Sequence, residues 1–578
     1  MKKLNLMILA IVLSVMVIFT GCGGQTVDTS EETKSSSVED TAVVEPATVA
    51  EADPFFGKYE EPVTLNLAVP TNSATEWLPN ESPKNNVWTR SWKEDFNVET
   101  NIMWEAVDVG NSGTYEMKMN LAIASNELPD IMRLKSYSQF DKLVNAGMIE
   151  DLTSYYEKYA YPMLKENVMS GGGQELEWGK VDGKLMGFPD EGINYQGARM
   201  VFIRHDWFEK TGLPAPKTLE DVLAIAKAMQ QQDPKNRFAL PLMKTVVGDN
   251  FCDIVGLANA IGAYPSTWVD DGSGKLVYGS TQPQMKKALQ IYADLYKQKM
   301  IDPAFASLDG GKVGEQLTGG KIGVVLGAFW IPSWPLNALW DTDGVDWDIY
   351  PLLKSVENTG DFKVQTDPPK GKMVVVRKGY EHPELLFKLL NYTVAKIYDP
   401  EKADTLKYHS DPKDPNHAAF GYNPLYVMWG PVKTNFNTNP NVTNAIEKND
   451  TSYLKTPHDQ TQYENIKTKY LDVIAAGKKP EGAMWGVYKF FYGPNSSFGA
   501  LNQYFADDSF IVTKLAGYQT PEMVRSWANL VKLEEQYIAE IIAGVKPVDD
   551  FDKFVTDWKN LGGELIEVEA NNWYKTKK

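Results

Sequence analysis

Apolar and polar residues alternate near the start of the part of the chain that can fold. Every second position is apolar at Val63, Leu65, Leu67 and Val69, which predicts a strand with one buried face. A continuous apolar run of strand length predicts a buried strand at 200–203, and two further strands are predicted at 321–326 and 373–376.

Apolar residues at helical spacing predict helices between those strands. Thr218 begins the clearest of them, because Asp221 three residues later completes a capping box. One face of this helix is apolar at Leu219, Val222, Leu223, Ala226 and Met229. Similar patterns predict helices at 88–96, 115–124, 284–299 and 383–394, and a late one that buries Trp558. The mixture of elements predicts the α/β fold class.

The first 21 residues have the pattern of a secretion signal. Lys2 and Lys3 precede an apolar run at 6–19 that is too short to span a bilayer comfortably. The run ends in Phe19-Thr20-Gly21-Cys22, which resembles a lipobox and implies cleavage before Cys22 and lipidation of its sulfur. The alternative is an ordinary signal peptide with an incidental cysteine. Residues 22–53 are predicted to be a disordered acidic tether, since eight acids and one Lys leave little apolar surface to bury.

Composition limits the function further. The net charge is −18, which argues against nucleic-acid binding and against a basic trough for an anionic polysaccharide. Only one other cysteine exists, Cys252, so a lipidated Cys22 leaves no disulfide within one chain. The chain also has 16 Trp and 28 Tyr, a surplus that suits a cleft for flat, amphipathic ligand faces.

Four segments resemble one family closely. They are DGKLMGFP at 182–189, FIRHDWFEKTGLPAPKT at 202–218, LPDI at 128–131 and the ending DWKNLGGELIEVEANNWY at 557–574. They resemble lipoprotein solute-binding subunits of ABC importers, in the group that takes up oligosaccharides and polysaccharide fragments. The resemblance implies a type II periplasmic-binding-protein-like fold, in which two lobes, each a mixed sheet flanked by helices, hold the ligand cleft between them. The first lobe is expected at 54–188 plus about 371–430, and the second at about 196–368 plus about 435–578.

The same resemblance implies the function and its partners. Ligand contacts on both lobes would favour a closed state, and the loaded protein would pass its carbohydrate to ABC permease subunits. The chain is then expected to be a monomer without a cofactor, anchored by lipid on the extracytoplasmic face of the cell membrane. Two alternatives stay open: a ligand sensor of the same fold, and a secreted glycoside hydrolase with two carboxylates across a cleft, for which Asp190 and Glu191 are candidates.

We expect no metal site. Several members of the family carry an oxygen-rich calcium loop after the long helix of the second lobe, and the matching segment here is 233–241. It is shortened, and Asp233 and Asn236 cannot supply the six to eight oxygens that calcium needs. The histidines lack the paired spacing of a zinc site.

Residues for the cleft are predicted from side-chain type and loop position. Trp and Tyr stack on the apolar faces of sugars, while carboxylates, amides and guanidinium groups bond their hydroxyls. Tryptophans beside turn residues are the main candidates: Trp268, Trp330, Trp334, Trp429 and Trp485. The polar candidates flank the strand at 200–203 or follow other predicted strands and turns: Arg204, Asp206, Asn72, Glu76 and Glu191. For each Trp the alternative is a packing role in the core or between the lobes.

Overall fold

The computed structural model describes residues 53–71, 77–108, 113–170, 173, 175–190, 192–249, 251–367, 371–409, 419–425, 434–515 and 519–576. The predicted signal peptide and all of the predicted tether except Asp53 lie outside these ranges.

Fourteen strands occur in the described ranges. They are β1 Val63–Thr71, β2 Val98–Val107, β3 Ile131–Leu134, β4 Lys180–Val181, β5 Lys184–Leu185, β6 Phe188–Pro189, β7 Met200–Arg204, β8 Trp268–Asp270, β9 Leu276–Tyr278, β10 Val324–Gly327, β11 Trp347–Pro351, β12 Val364–Gln365, β13 Met373–Val376 and β14 Phe510–Ile511.

The same ranges contain 22 α-helices. They are α1 Val87–Phe96, α2 Thr114–Ser125, α3 Tyr137–Asn145, α4 Thr153–Tyr159, α5 Pro162–Met169, α6 Glu175–Trp178, α7 His205–Glu209, α8 Leu219–Gln231, α9 Val255–Ile261, α10 Pro283–Lys297, α11 Gly310–Thr318, α12 Asn337–Asp343, α13 Leu385–Tyr398, α14 Thr405–Tyr408, α15 Thr434–Lys448, α16 Pro457–Ile466, α17 Asp472–Ala475, α18 Gly482–Val487, α19 Ser497–Ala506, α20 Pro521–Ile542, α21 Asp550–Trp558 and α22 Glu564–Lys575. In the described part of the chain, no helix is both long enough and apolar enough to cross a membrane.

The first sheet has five strands in the order β2-β1-β3-β13-β6. β1 runs parallel to β2 and β3, whereas β13 runs antiparallel to β3 and β6. Alternate residues of its strands enter two different cores, so Val374 and Val376 join one core and Met373 and Val375 join the other. Both faces of the sheet are therefore buried. We call this sheet and its two cores the first lobe.

The second sheet is built around β7, which pairs antiparallel with β10 on one side and β11 on the other. Met200, Val201, Phe202 and Ile203 are all at most 1% exposed, which confirms the predicted buried strand. A single large core surrounds this sheet and draws on 198–364 and 436–570. We call this body the second lobe.

Local signals explain several boundaries. Thr218 caps α8, and the capping box with Asp221 is present as predicted. Asp182 and Gly183 have φ of 50° and 79°, which suits the tight turn between β4 and β5. The predicted strand at 321–326 is shorter than expected, because Ile322 instead forms an isolated bridge with Phe238 before β10 begins at Val324.

Candidate ligand-binding cleft

One edge of the first sheet collects polar side chains. The parallel strands β1, β2 and β3 end there at Thr71, Val107 and Leu134. Met373 pairs with both Leu134 and Pro189, so the start of β13 and the end of β6 lie at the same edge. Open α/β sheets bind ligands outside the carboxyl ends of their strands. This edge is therefore the candidate ligand face of the first lobe.

Charged groups at this edge are paired with one another. Arg133 donates from Nε and Nη2 to Oδ2 of Asp190, at 3.0 and 2.9 Å, and both side chains are largely buried. The ammonium of Lys135 contacts a carboxylate oxygen of Asp108. Burial lowers the pKa of Lys135 below its ordinary value, although the contact with Asp108 opposes this. We call these four residues the polar edge, and each of its cations is held by a carboxylate.

On the second lobe, an aromatic loop leaves the sheet where the chain enters that lobe. Met200 is the first residue of β7 and pairs with Gly327, the last residue of β10. The chain reaches Met200 directly from the first lobe, so this end of the second sheet lies on the side of the crossing. Trp330 and Trp334 follow Gly327 in the next loop.

Three aromatic rings cluster at this place. The ring centroid of Phe251 is 5.4 Å from that of Trp330 and 5.2 Å from that of Trp334, and the two indoles are 6.0 Å apart at an interplanar angle of 29°. Trp334 is 45% exposed. Gly314 lies beneath it, where a Cβ would approach Cζ2 of Trp334 to 2.9 Å. We call Phe251, Trp330 and Trp334 the aromatic platform, in which an exposed indole packs on a largely buried base.

Two other predicted tryptophans have a different position. Trp268 begins β8, is 4% exposed and packs on Tyr278 at 5.3 Å between centroids. Trp485 is fully buried, stacks on Trp340 at 5.7 Å and donates from Nε1 to Asp346 at 3.0 Å. The structure therefore favours the packing alternative for these two residues, because both rings are enclosed by the second lobe.

Arg204 and Asp206 bond each other. The guanidinium donates from Nε and Nη2 to the two carboxylate oxygens at 2.6 and 3.0 Å, and it lies 4.2 Å from the ring centroid of Trp207. Partial burial would raise the pKa of Asp206, but the hydrogen bonds and charge of Arg204 outweigh it and lower the pKa. Arg204 is the last residue of β7, at the end of the strand away from Met200. The pair is thus separate from the aromatic platform.

Four further candidates, Asn72, Glu76, Glu191 and Trp429, lie outside the described residues, as does Cys22. Sequence reasoning missed Trp77, which is close in sequence to the end of β1. Its ring stacks on Tyr422 at 4.6 Å and 14°, and the Tyr422 hydroxyl accepts a hydrogen bond from the Leu78 amide at 3.2 Å. Its position shortly after the first strand is the signal that could have found it in the sequence.

The segment that replaces the calcium loop is held by protein groups. The side-chain amide of Asn236 donates to both carboxylate oxygens of Asp233, at 3.1 and 3.0 Å. The guanidinium of Arg237 lies 3.4 Å from the ring centroid of Trp207. Across the described residues, no group of three or more His, Cys, Asp or Glu side chains is placed to hold a metal ion. The absence of calcium stays a prediction.

Residues 80–396 match the family of bacterial extracellular solute-binding proteins. Lipoprotein LipO of Bacillus subtilis is 26% identical over 277 residues, which are 46% of this chain and 50% of LipO. The polygalacturonan/rhamnogalacturonan-binding protein YtcQ of the same organism is 25% identical, over 40% of this chain and 44% of YtcQ. The chain spans at most about half the length of the curated relatives that it matches.

Solved structures share the fold. An extracellular solute-binding protein from Bifidobacterium longum subsp. infantis has a TM-score of 0.59 at 16% identity, over 90% of this chain and 98% of the other. The Streptococcus pneumoniae ABC-transporter substrate-binding protein FusA, in complex with kestose, has a TM-score of 0.58 at 16% identity, over 89% and 99% of the two chains. The likeness confirms the two-lobe, type II architecture.

Proposed function

Because this chain belongs to the bacterial extracellular solute-binding protein family, we propose that it captures an oligosaccharide between its lobes and delivers it to an ABC permease. The observation that carries the proposal is the aromatic platform, an exposed indole at the crossing side of the second lobe. The polar edge supplies hydrogen-bonding groups on the first lobe. Stacking and hydroxyl recognition together are what a sugar requires.

Hinge closure is the proposed mechanism. Ligand contacts on both lobes stabilise the closed state by the difference in their affinity for the open and closed forms. The permease then meets a closed, loaded protein. No bond of the glycan is made or broken, so the ligand recovered after binding should be unchanged.

We further propose a neutral ligand. A uronic-acid chain needs cations for its carboxylates, and the charges of Arg133 and Lys135 are already neutralised by Asp190 and Asp108. The overall charge of −18 also disfavours a polyanion. The names of the relatives include both kinds of ligand, a fructooligosaccharide for FusA and a polygalacturonan for YtcQ.

Calorimetry with a glycan panel tests the proposal. The panel contains kestose and longer neutral oligosaccharides, together with oligogalacturonides, and we expect heat only from neutral members. For the ligand that binds best, Trp334→Ala should weaken affinity about tenfold to a hundredfold, since a stacked ring contributes on the order of 1–3 kcal/mol. Trp330→Ala should act in the same direction.

The matched control is Trp573→Ala, which removes a partly exposed indole from α22. Its affinity should equal that of the unmodified protein. The proposed site is refuted if Trp334→Ala binds as tightly as Trp573→Ala. Strong binding of oligogalacturonides alone would refute the neutral ligand while leaving the capture function intact.

We also propose that Cys22 anchors the protein to the extracytoplasmic face of the cell membrane through lipid. The motivation is the lipobox-like sequence at 19–22 and the similarity to a lipoprotein. Cys22→Ala should move the protein from the membrane fraction to the soluble extracytoplasmic fraction, because acyl chains supply the anchor. Fractionation and immunoblotting measure this, with Cys252→Ala as the control that stays membrane-bound. Membrane retention of Cys22→Ala would contradict the assignment.

A further inference from the structure

Two of the chain segments that connect the lobes meet beside β7. Asn194 on the outgoing segment and Asp367 on the returning one form an isolated antiparallel bridge, and Nδ2 of Asn194 donates to Oδ2 of Asp367 at 3.0 Å. Gly197 packs against the same carboxylate, where a Cβ would lie 2.3 Å from Oδ2. The two segments therefore contact each other through the Asp367 carboxylate, and any side chain at position 197 would clash with that carboxylate.

Arg199 joins this contact to the second lobe. Its side chain is 1% exposed, and Nη1 donates to Oδ1 of Asp367 at 3.0 Å and to the carbonyl oxygen of Gly197. Nε and Nη2 donate to the two carboxylate oxygens of Asp253 at 3.3 and 2.7 Å. One buried guanidinium thus holds two carboxylates from different parts of the chain. Such charge-assisted bonds impose geometry as well as attraction.

Asp253 connects the guanidinium to the aromatic platform. Its carboxylate also accepts from the backbone amides of Gly248 and Val255, both at 3.1 Å. Those two residues flank Phe251, whose ring packs on Trp330 and Trp334. The position of Phe251 therefore depends on a carboxylate that Arg199 orients.

We propose that Arg199 is a positioning residue of the ligand cleft, which ties these two connecting segments to the loop of Phe251 so that lobe closure and placement of the aromatic platform are one movement. The inference rests on the proposed capture function for its effect on affinity. The coupling of the two connecting segments to the loop of Phe251 does not depend on any ligand.

Hydrogen exchange of the full chain without ligand tests the coupling. Arg199→Lys keeps the charge, but an ammonium is a point donor and cannot reproduce the bidentate bond together with the bond to Asp367. We expect exchange to become roughly 2- to 10-fold faster, as for loss of one or more hydrogen bonds, in the peptides with Gly248 and Val255 and also in those with Gly197 and Ala198. If Arg199→Lys exchanges in either region at the same rate as the unmodified protein, the proposal is overturned.

Affinity for kestose, or for the neutral glycan that calorimetry identifies, tests the effect on the cleft. Asp367→Asn removes the negative charge through which Arg199 and Asn194 hold the returning segment, and it touches no platform residue. It should nevertheless weaken binding about threefold to tenfold. The double variant with Arg199→Lys should lose no more than the larger single loss, because both changes act on one link.

Glu150→Gln is the matched control. Glu150 is a partly buried carboxylate that pairs with Lys378 at 2.8 Å. The neighbouring bridge between Ile149 and Arg377 lies at the edge of the first sheet opposite the polar edge. It should change neither the exchange of the two regions nor affinity. If the unmodified protein binds a glycan and Asp367→Asn binds it equally well, the positioning role is wrong and the capture function stands. If no glycan binds, the capture function fails and the exchange result alone decides the coupling.

Discussion

Replacing Trp558 by alanine is expected to lower the free energy of unfolding by about 3–5 kcal/mol. The side chain is fully buried, and its ring stacks on that of Tyr278 at 5.1 Å between centroids and an interplanar angle of 9°. Tyr278 in turn contacts Trp268 and Trp527, so a cavity here would loosen the packing between α21 and the β8–β9 hairpin. Urea unfolding followed by circular dichroism measures the change.

The control for this prediction is Trp334→Ala. Because 45% of that side chain is exposed, its removal should cost far less stability than the loss of Trp558. Conversely, Trp558→Ala should retain glycan affinity at temperatures where it is folded. Equal losses of stability in the two variants would mean that the aromatic platform is a packing feature of the second lobe and not an available ligand surface.

Glu534→Gln is expected to stabilise the protein at pH 8 by up to about 3 kcal/mol and to change it little at pH 4. Burial raises the pKa of Glu534 from 4.5 to about 7, although the side chains of Ser280 and Tyr278 act to lower it. The Tyr278 hydroxyl donates to Oε2 at 2.8 Å. Among the described residues, Oε1 has no hydrogen-bond partner. The folded state therefore favours the protonated carboxyl.

The sign follows from proton linkage. Below about pH 4.5 the carboxyl is protonated in both folded and unfolded chains, and its contribution to the free energy of unfolding is fully present. Between about 4.5 and 7 the unfolded chain releases the proton while the folded chain retains it, so stability falls as pH rises. A glutamine removes this loss, and the difference in unfolding free energy between variant and wild type should increase across that window. A difference that is constant with pH would contradict the raised pKa.

Tyr278→Phe provides an independent check of the same group. It removes the hydroxyl that bonds Oε2, which should raise the pKa of Glu534 further. The loss of stability on going from pH 5 to pH 8 should then be larger than in the unmodified protein. The double variant with Glu534→Gln should lose most of this pH dependence.

Sequence patterns predicted the fold well where they reflect local physics. The apolar run at 200–203 has the length of a buried strand, and the Thr218–Asp221 capping box is complete within one helical turn. The α/β architecture of each lobe was also predicted, because the segments that resemble the family come from both lobes. These features depend on neighbours in the chain, which the sequence contains directly.

The candidate site was less predictable. Trp330 and Trp268 both stand near glycine and proline, yet one joins the exposed platform and the other is enclosed by Tyr278 and the second-lobe core. Exposure of an indole depends on distant segments that pack over it, and turn residues nearby do not encode those segments. The Arg199 contacts were missed for the same reason, since Asp253 and Asp367 are 54 and 168 residues away.

Both lobes are assembled from segments that are far apart in the chain. Val374 and Leu386 complete a core that begins at Val63, and Phe554 and Ile566 complete the core that surrounds β7. Because the chain is synthesised from its N-terminus, the core of the first lobe cannot be complete before residue 425 is present, and that of the second lobe cannot be complete before residue 570. Each lobe can therefore finish folding only after a segment far along the chain is available, and the second lobe only when nearly the whole polypeptide is present. The discontinuous order of the segments delays folding without any dedicated sequence for that purpose.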